Sequence, residues 1–339
     1  MSSLGIAILG LGRAGKFHLK SIRETSNVDL RYAVDPNLSL AQSVAEEHHC
    51  AAVSEASIAL TDPQVKAVII ATPTFSHHSL IVQSLHAGKA VLTEKPLGTT
   101  LQEIDQCYEL ASTKSLPLFV AFQRRFDPSF ADLARGVRNK AIGQLQFIRT
   151  VSRDNPTPSI DYIKTSCGIF HDCIVHDLDM ICHISREKPV EVFAMGTNFI
   201  EAIKQVGDLD TVLVSLKFAS GLLATIDVSR KSVYGYDQRV EVFGSAGMIQ
   251  ANNRSSLTTV SSTVTQVTEP PIDFSFPTRY REAYLRELEL FRDCVLASDP
   301  VPVSHQEVRA NFILAEAAEK SCRTGKSISV AIQNRDLSG

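Results

Sequence analysis

The sequence contains no run of the roughly 18 apolar residues that a membrane-spanning helix needs, which argues against a bundle of such helices. It has no CxxC pair, and its cysteines (Cys50, Cys107, Cys167, Cys173, Cys182, Cys294 and Cys322) are odd in number. A disulfide framework is therefore not expected, and a reducing cytoplasm is the expected setting. It also lacks a charge excess: 34 Lys plus Arg stand against 37 Asp plus Glu. Neither nucleic acid nor a membrane surface is an expected partner of such a balance. Internal repeats and low-complexity tracts are missing, and the opening MSSLGIAILGLG has neither the basic region nor the cleavage site of a targeting segment. What is present is ordinary for a globular chain. At 44% hydrophobic and 21% charged, wholesale disorder is excluded, and 339 residues predict two domains, each large enough for its own core.

The first third alternates short apolar runs with longer amphipathic ones. LGIAILG, DLRYAVD, VKAVIIAT, KAVLTE and LPLFVAF read as strands, separated by helical stretches such as RAGKFHLKSIRE, with Phe17, Leu19 and Ile22 facing inward. Near-continuous apolar strands alternating with helices predict a parallel sheet covered on both faces. After about Gln123 the period changes to two, in DTVLVSLKF, SGLLATIDVSR and QRVEVFG. That pattern predicts an open, mainly antiparallel sheet with one covered face. The fold class expected is α/β, a doubly wound parallel sheet followed by an α+β domain. Two late helices, over TRYREAYLRELELFRDCVLAS and HQEVRANFILAEAAEKSCRTG, complete the pattern.

Gly10-Leu11-Gly12-Arg13-Ala14-Gly15 is a GxGxxG that directly follows a strand and opens a helix. Such glycines allow a tight turn, close approach of backbone to a pyrophosphate, and close helix–strand packing, with the phosphates on the helix N-terminus. Asp35 ends the second strand 20 residues after Gly15, the separation expected of a ribose-binding acid. A carboxylate there repels a 2′-phosphate, and Pro36 and Asn37 supply no cation to hold one. The expected cofactor is NAD rather than NADP.

Two further strand ends face the same crevice. Ala71-Thr72-Pro73 closes the third long strand, and Glu94-Lys95-Pro96 the fourth, where Pro96 restricts Lys95 to extended geometry. Residues 167–183, CGIFHDCIVHDLDMICH, read as a helix with Asp172 and His176 as an i, i+4 pair. A carboxylate beside an imidazole suits a general base for an alcohol proton. Cys167, His171, Cys173, His176, Cys182 and His183 crowd this segment, but no four of them have familiar zinc-finger spacing, and no metal site is expected.

Together these motifs resemble the glucose–fructose oxidoreductase / inositol dehydrogenase (Gfo/Idh/MocA) family, and most of all its inositol 2-dehydrogenase branch. The resemblance rests on GLGRAG, AVDPN, ATPTFSHH, EKPLG, FQRRFDPSF, GIFHDCIVHDLDM, YGYDQRVEVFGSAGM and the closing AEAAEKS. It implies a Rossmann domain over 1–123 and a substrate-binding and oligomerising domain over 124–300. A C-terminal helix and tail over 301–339 would pack back near the first domain. It further implies that Lys95, Asp172 and His176 are the catalytic set. Arg124 or Arg125, Asp154 and Asn155, and Tyr234 or Tyr236 would contact the substrate; on a strand the two tyrosines would share a face. One departure is Ser166-Cys167-Gly168, where relatives carry smaller residues before Ile-Phe.

The expected function is transfer of hydride from a ring hydroxyl carbon of a cyclic polyol to NAD, with myo-inositol as substrate and the 2-keto inositol as product. The alternatives are another sugar or a trans-dihydrodiol as substrate, or a dinucleotide-binding sensor without turnover. A homodimer or homotetramer built through the C-terminal sheet is expected. The role given to Asp35 has a direct check. Asp35→Ser combined with Pro36→Arg should move the ratio of kcat/KM values from NAD toward NADP; a wild-type protein that already uses NADP better than NAD would refute the reading.

Overall fold

The computed structural model describes residues 3–332, so residues 333–339 of the expected C-terminal tail lie outside the described residues. The described chain forms two compact units, one of residues 3–126 with 282–309 and the other of residues 127–281 with 310–332. Each unit is thus completed by a returning segment of chain.

In the first unit the strands are β1 (Leu4–Leu9), β2 (Val28–Val34), β3 (Ala51–Val53), β4 (Ala67–Ile70), β5 (Ala90–Glu94) and β6 (Leu118–Ala121). They lie in the order β3-β2-β1-β4-β5-β6 with every neighbouring pair parallel. All residues of β1, β4 and β6 are buried, as strands covered on both faces require. The helices are α1 (Arg13–Glu24), α2 (Leu38–His48), α3 (Ala56–Thr61), α4 (His77–His86) and α5 (Leu101–Lys114). Their starts are chemically marked. The Asn37 side chain accepts from Leu40 N–H at α2, and Thr100 does the same for Glu103 N–H at α5. Glu103 in turn accepts from the N–H of Thr99, a reciprocal cap. Strand order reverses between β1 and β4, so the turns after these two strands stand side by side at the carboxyl edge of the sheet. In open α/β sheets that is where ligands bind.

The second unit holds α6 (Pro128–Arg138), α7 (Ile160–Thr165), α8 (Val175–Ser185), α9 (Glu201–Gln205) and α10 (Phe276–Arg279). Helix α11 (Arg281–Leu296) belongs to the first unit but for Arg281, and α12 (His305–Thr324) runs from the first unit into the second. The strands are β7 (Leu145–Arg153), β8 (Pro189–Thr197), β9 (Thr211–Phe218), β10 (Leu223–Ser229), β11 (Asp237–Gly244) and β12 (Gly247–Ala251). Together with Ile328–Ser329 they form one sheet in the order β12-β11-β7-β10-β9-β8 and then the short strand. Every pair is antiparallel except β7 with β10. The expected β9–β10 hairpin is present, with Leu223 opposite Lys217.

Period-two burial divides this sheet. Val212, Val214, Leu216 and Phe218 of β9 are buried, whereas Leu213, Ser215 and Lys217 are exposed. Beneath the covered face, α8 is fastened twice at its first turn. Ser152 Oγ on β7 donates to Asp177 at 2.8 Å, and Asn311 Nδ2 of α12 donates to the carbonyl of Val175 at 2.7 Å. The cap of α6 is a buried ion pair, because Asp127 accepts from Ser129 and Phe130 N–H and also from the guanidinium of Arg279. Among the described residues no helix is long and apolar enough to cross a membrane.

Candidate active site

The glycine loop of the first unit has the geometry its sequence predicts. Gly10 adopts φ +91°, and a Cβ there would stand 2.7 Å from the carbonyl oxygen of Ala71 after β4. A Cβ at Gly15 would lie 2.2 Å from the carbonyl oxygen of Gly10, so only glycine lets α1 sit this close to the loop. At Gly12, by contrast, a Cβ would meet nothing within 4 Å. Helix α1 begins there with no side chain capping its first N–H groups. Space for a pyrophosphate and donors to receive it therefore coincide. Asp35 accepts the N–H of Leu11 at 3.0 Å through one oxygen and that of Asn37 at 2.9 Å through the other. A carboxylate has about four acceptor positions, so two stay available for ribose hydroxyls. The residues present fit a dinucleotide.

The turns after β4 and β5 are joined by a residue not singled out from sequence. His77 is buried, with Nδ1 2.7 Å from the Pro96 carbonyl oxygen and Nε2 2.8 Å from that of Thr72. Burial pushes its pKa down, against the opposing effect of the two carbonyls and of Glu94. The imidazole thereby ties the Glu94-Lys95-Pro96 turn to Thr72-Pro73. The Lys95–Pro96 peptide is cis.

Glu94 faces inward from the end of β5, and its carboxylate stands 2.9 Å from His18 Nε2 on α1. Burial raises its pKa, but His18, Lys95 and His77 outweigh burial and hold it below the usual range. Beneath lies Glu287 of α11, which is fully buried. Neither of its carboxylate oxygens has a hydrogen-bond partner among the described residues. Burial, reinforced by the charge of Glu94, pushes its pKa well above the ordinary value. Tyr284, one turn earlier on α11, packs edge-on against the His18 ring at 5.6 Å.

In the second unit, residues 170–174 form a π-turn that leads into α8, where the sequence predicts plain α-helix. Asp172 lies in this turn. It accepts from the Tyr162 hydroxyl at 2.8 Å and from Arg230 Nη1 at 3.0 Å, and Arg230 also holds Asp208 at 2.8 Å. Burial and the neighbouring Asp172 raise the pKa of Tyr162, so its hydroxyl remains a donor. Burial opposes the charge of Arg230, but Cys173, Asp172 and Asp208 outweigh it and raise its pKa. Tyr162, Asp208 and Arg230 were not identified from sequence, because each lies in a different segment from Asp172. His176 follows in α8, half-buried. Asp154 lies within 3.8 Å of the Cys173 thiol.

Several expected substrate residues are committed to other contacts. Arg125 is buried and donates to Glu307 at 2.8 Å and to the Pro302 carbonyl at 3.2 Å. Its neighbour Arg124 is equally buried in the 3-10 turn Gln123–Phe126. The Asn155 amide donates to the Phe274 carbonyl at 2.8 Å. Tyr234 and Tyr236 do not alternate on a strand. They sit in a bend before β11, where Gly235 adopts φ +129° and a Cβ would collide with Ile272. The bend turns them apart. Tyr234 is half exposed, and its hydroxyl donates to Asp237 at 2.7 Å, whereas Tyr236 is buried between Phe276 and Tyr280.

The oxidoreductase family with an NAD-binding Rossmann fold matches residues 4–122, and the GFO/IDH/MocA C-terminal domain matches residues 130–250. The inositol 2-dehydrogenase of Rhizobium meliloti is 37% identical over 326 residues, which cover 96% of this chain and 98% of that protein. The chain belongs to the GFO/IDH/MocA family. The myo-inositol 2-dehydrogenase of Thermotoga maritima is also 37% identical, across 95% of this chain and 97% of its own. A solved structure of a myo-inositol dehydrogenase from Corynebacterium glutamicum superposes with a TM-score of 0.92 at 33% identity, covering 97% of this chain and 99% of that one. As a GFO/IDH/MocA oxidoreductase the protein is NAD-dependent, and its glycine loop and Asp35 belong to the family's NAD-binding domain.

Glu287 makes stability depend on pH. In the folded protein it stays protonated, whereas in the unfolded chain it ionises near its ordinary 4.5. The folded state then binds more protons than the unfolded one, so stability falls as pH rises from about that value through the raised folded pKa. Glu287→Gln, which imitates the neutral acid, should flatten this decline in Tm above about pH 5. Parallel Tm profiles for the two proteins would refute a protonated Glu287.

Proposed function

We propose that this protein oxidises a ring CH–OH of a cyclic polyol, with myo-inositol the first substrate to test and the 2-keto inositol as product. The observation that carries the reading is the near-full-length likeness to two inositol 2-dehydrogenases in a chain whose glycine loop and Asp35 are shaped for NAD. NAD, when bound, supplies the hydride acceptor. His176 takes the hydroxyl proton, Asp172 orients His176 and favours its charged form, and Lys95 hydrogen-bonds the reacting oxygen as negative charge develops on it. The hold of Tyr162 and Arg230 on Asp172 supports an orienting role, since two donors fix the carboxylate before any substrate arrives. One of Arg124 and Arg125 remains a candidate to reach the polyol, although the Arg125 guanidinium also holds Glu307. Asp154 remains a pocket-lining candidate beside Cys173. Seven free cysteines support a cytoplasmic setting.

The assembly belongs to the same proposal. On the exposed face of the second sheet, Leu223, Phe147, Phe243 and Met248 stand opposite one another in a single row across β10, β7, β11 and β12. Leu223, Phe243 and Met248 are each about half exposed in the single chain. A contiguous apolar row of this kind supports burial against another subunit in a dimer or tetramer. Light scattering should give a mass of two or four chains; a monomer at micromolar concentration would refute it.

Activity gives the sharper test. Purified protein should reduce NAD with myo-inositol in preference to unrelated sugars and dihydrodiols. His176→Ala should lose roughly 10²–10⁴-fold in kcat while retaining NAD affinity, because the glycine loop and Asp35 are untouched. Asp172→Asn should also slow turnover, and the double variant should be less than additive, since the two side chains act as one unit. The wild-type rate should rise with pH as the base deprotonates. A kcat within about threefold of wild type for folded, NAD-saturated His176→Ala would exclude His176 as the base.

A further inference from the structure

The π-turn that presents Asp172 also presents its neighbour in another direction. His171 is 92% buried as a side chain, and its ring packs against Phe312 of α12 with centroids 5.0 Å apart. Its Nε2 points along the same helix toward two carboxylates, Glu316 Oε1 at 3.2 Å and Glu319 Oε2 at 3.7 Å. Phe312, Glu316 and Glu319 are spaced i, i+4, i+7 and so occupy one stripe of α12. The ring is thus held from one side while both acids converge on its free edge. All three ligand atoms lie within 4.8 Å of one another.

We infer that His171, Glu316 and Glu319 form a binding site for a divalent transition-metal ion, apart from the dinucleotide loop and from the Asp172–His176 pair. Bonds of about 2.0–2.2 Å to nitrogen and carboxylate oxygen set ligand atoms roughly 3 Å apart or slightly more. The Glu316 distance to Nε2 is already in that range and the Glu319 distance slightly exceeds it, and both glutamates are more than half exposed, so they can close the remainder without moving backbone. Charge points the same way. Two carboxylates drawn to one imidazole leave a net negative charge even when the ring is protonated. A divalent ion on the neutral ring balances both carboxylates and releases the proton. One imidazole with two carboxylates suits zinc, cobalt or nickel better than magnesium or calcium, which favour all-oxygen sets.

The test uses the full-length enzyme stripped with chelator and exchanged into metal-free buffer. Zinc is titrated calorimetrically, and cobalt is followed by its visible absorption. One saturable site is expected in the wild type, weakened at least tenfold in His171→Ala and in the Glu316→Gln/Glu319→Gln double variant. The double variant guards the result, since its exposed glutamates are not part of the core and its folding should be undisturbed. Thiols elsewhere also take up zinc, so the difference between variants, not the stoichiometry alone, decides. Equal affinity in the wild type and the double variant, or no saturable binding of either ion below about 1 mM, would overturn the site and leave a plain histidine–glutamate ion pair.

Discussion

The first unit depends on a contact that only glycine permits. Gly15 brings α1 so close to the carbonyl of Gly10 that a Cβ would overlap it. Once the helix sits there, its uncapped N–H groups open toward the carboxyl edge of the sheet, and Leu11 N–H reaches the carboxylate of Asp35 just after β2. Gly10, pressed against the Ala71 backbone, keeps the turns after β1 and β4 in register. The place for phosphate, the place for ribose and the wall formed by Ala71-Thr72-Pro73 are consequences of one close approach. A side chain at either glycine would disturb all three together.

Buried charge is handled in opposite ways in the two units. In the second, Arg230 is fully buried but meets two carboxylates, Asp172 and Asp208, and Tyr162 adds a neutral donor. Such a network holds its members in place, and breaking one of them would strand the others. In the first, Glu94 has His18, but Glu287 has no polar partner among the described residues and avoids ionisation instead. An isolated charge in that position would be far more costly than a neutral acid. The first arrangement fixes a geometry, and the second stores a proton beside the turn that carries Lys95.

The sequence revealed what depends on local pattern. Continuous apolar runs gave away the buried parallel strands, period two gave away the exposed sheet face, and GxGxxG with Asp35 gave away the dinucleotide loop. It concealed whatever depends on chain return. His77 shows no periodic or motif signal for clamping two carbonyls. Arg230 lies far along the chain from Asp172, and nothing local marks the two as partners. Glu287 sits within a helix whose Tyr284, Leu288 and Phe291 are buried beside it, and its burial follows from how that helix returns to the first unit. The expectation that Tyr234 and Tyr236 share a strand face failed because a single glycine bend breaks the alternation on which it relied.

The π-turn over 170–174 carries a lesson about numbering itself. An α-helix advances about 100° per residue, and a π-turn accommodates one residue more per hydrogen-bonded ring. Side chains before the turn are therefore rotated out of phase with those after it, by roughly one residue's worth of azimuth. Adjacent His171 and Asp172 can then serve different neighbours, the first α12 and the second Arg230. A four-residue interval does not have one fixed angular meaning in this chain. Upstream of Val175 it measures a wider spiral than downstream, so the Asp-x-x-x-His signature encodes a phase offset as well as a pair of residues. A one-residue deletion within the turn would preserve the helical hydrogen bonds downstream while swinging the Asp172 carboxylate away from Tyr162 and Arg230.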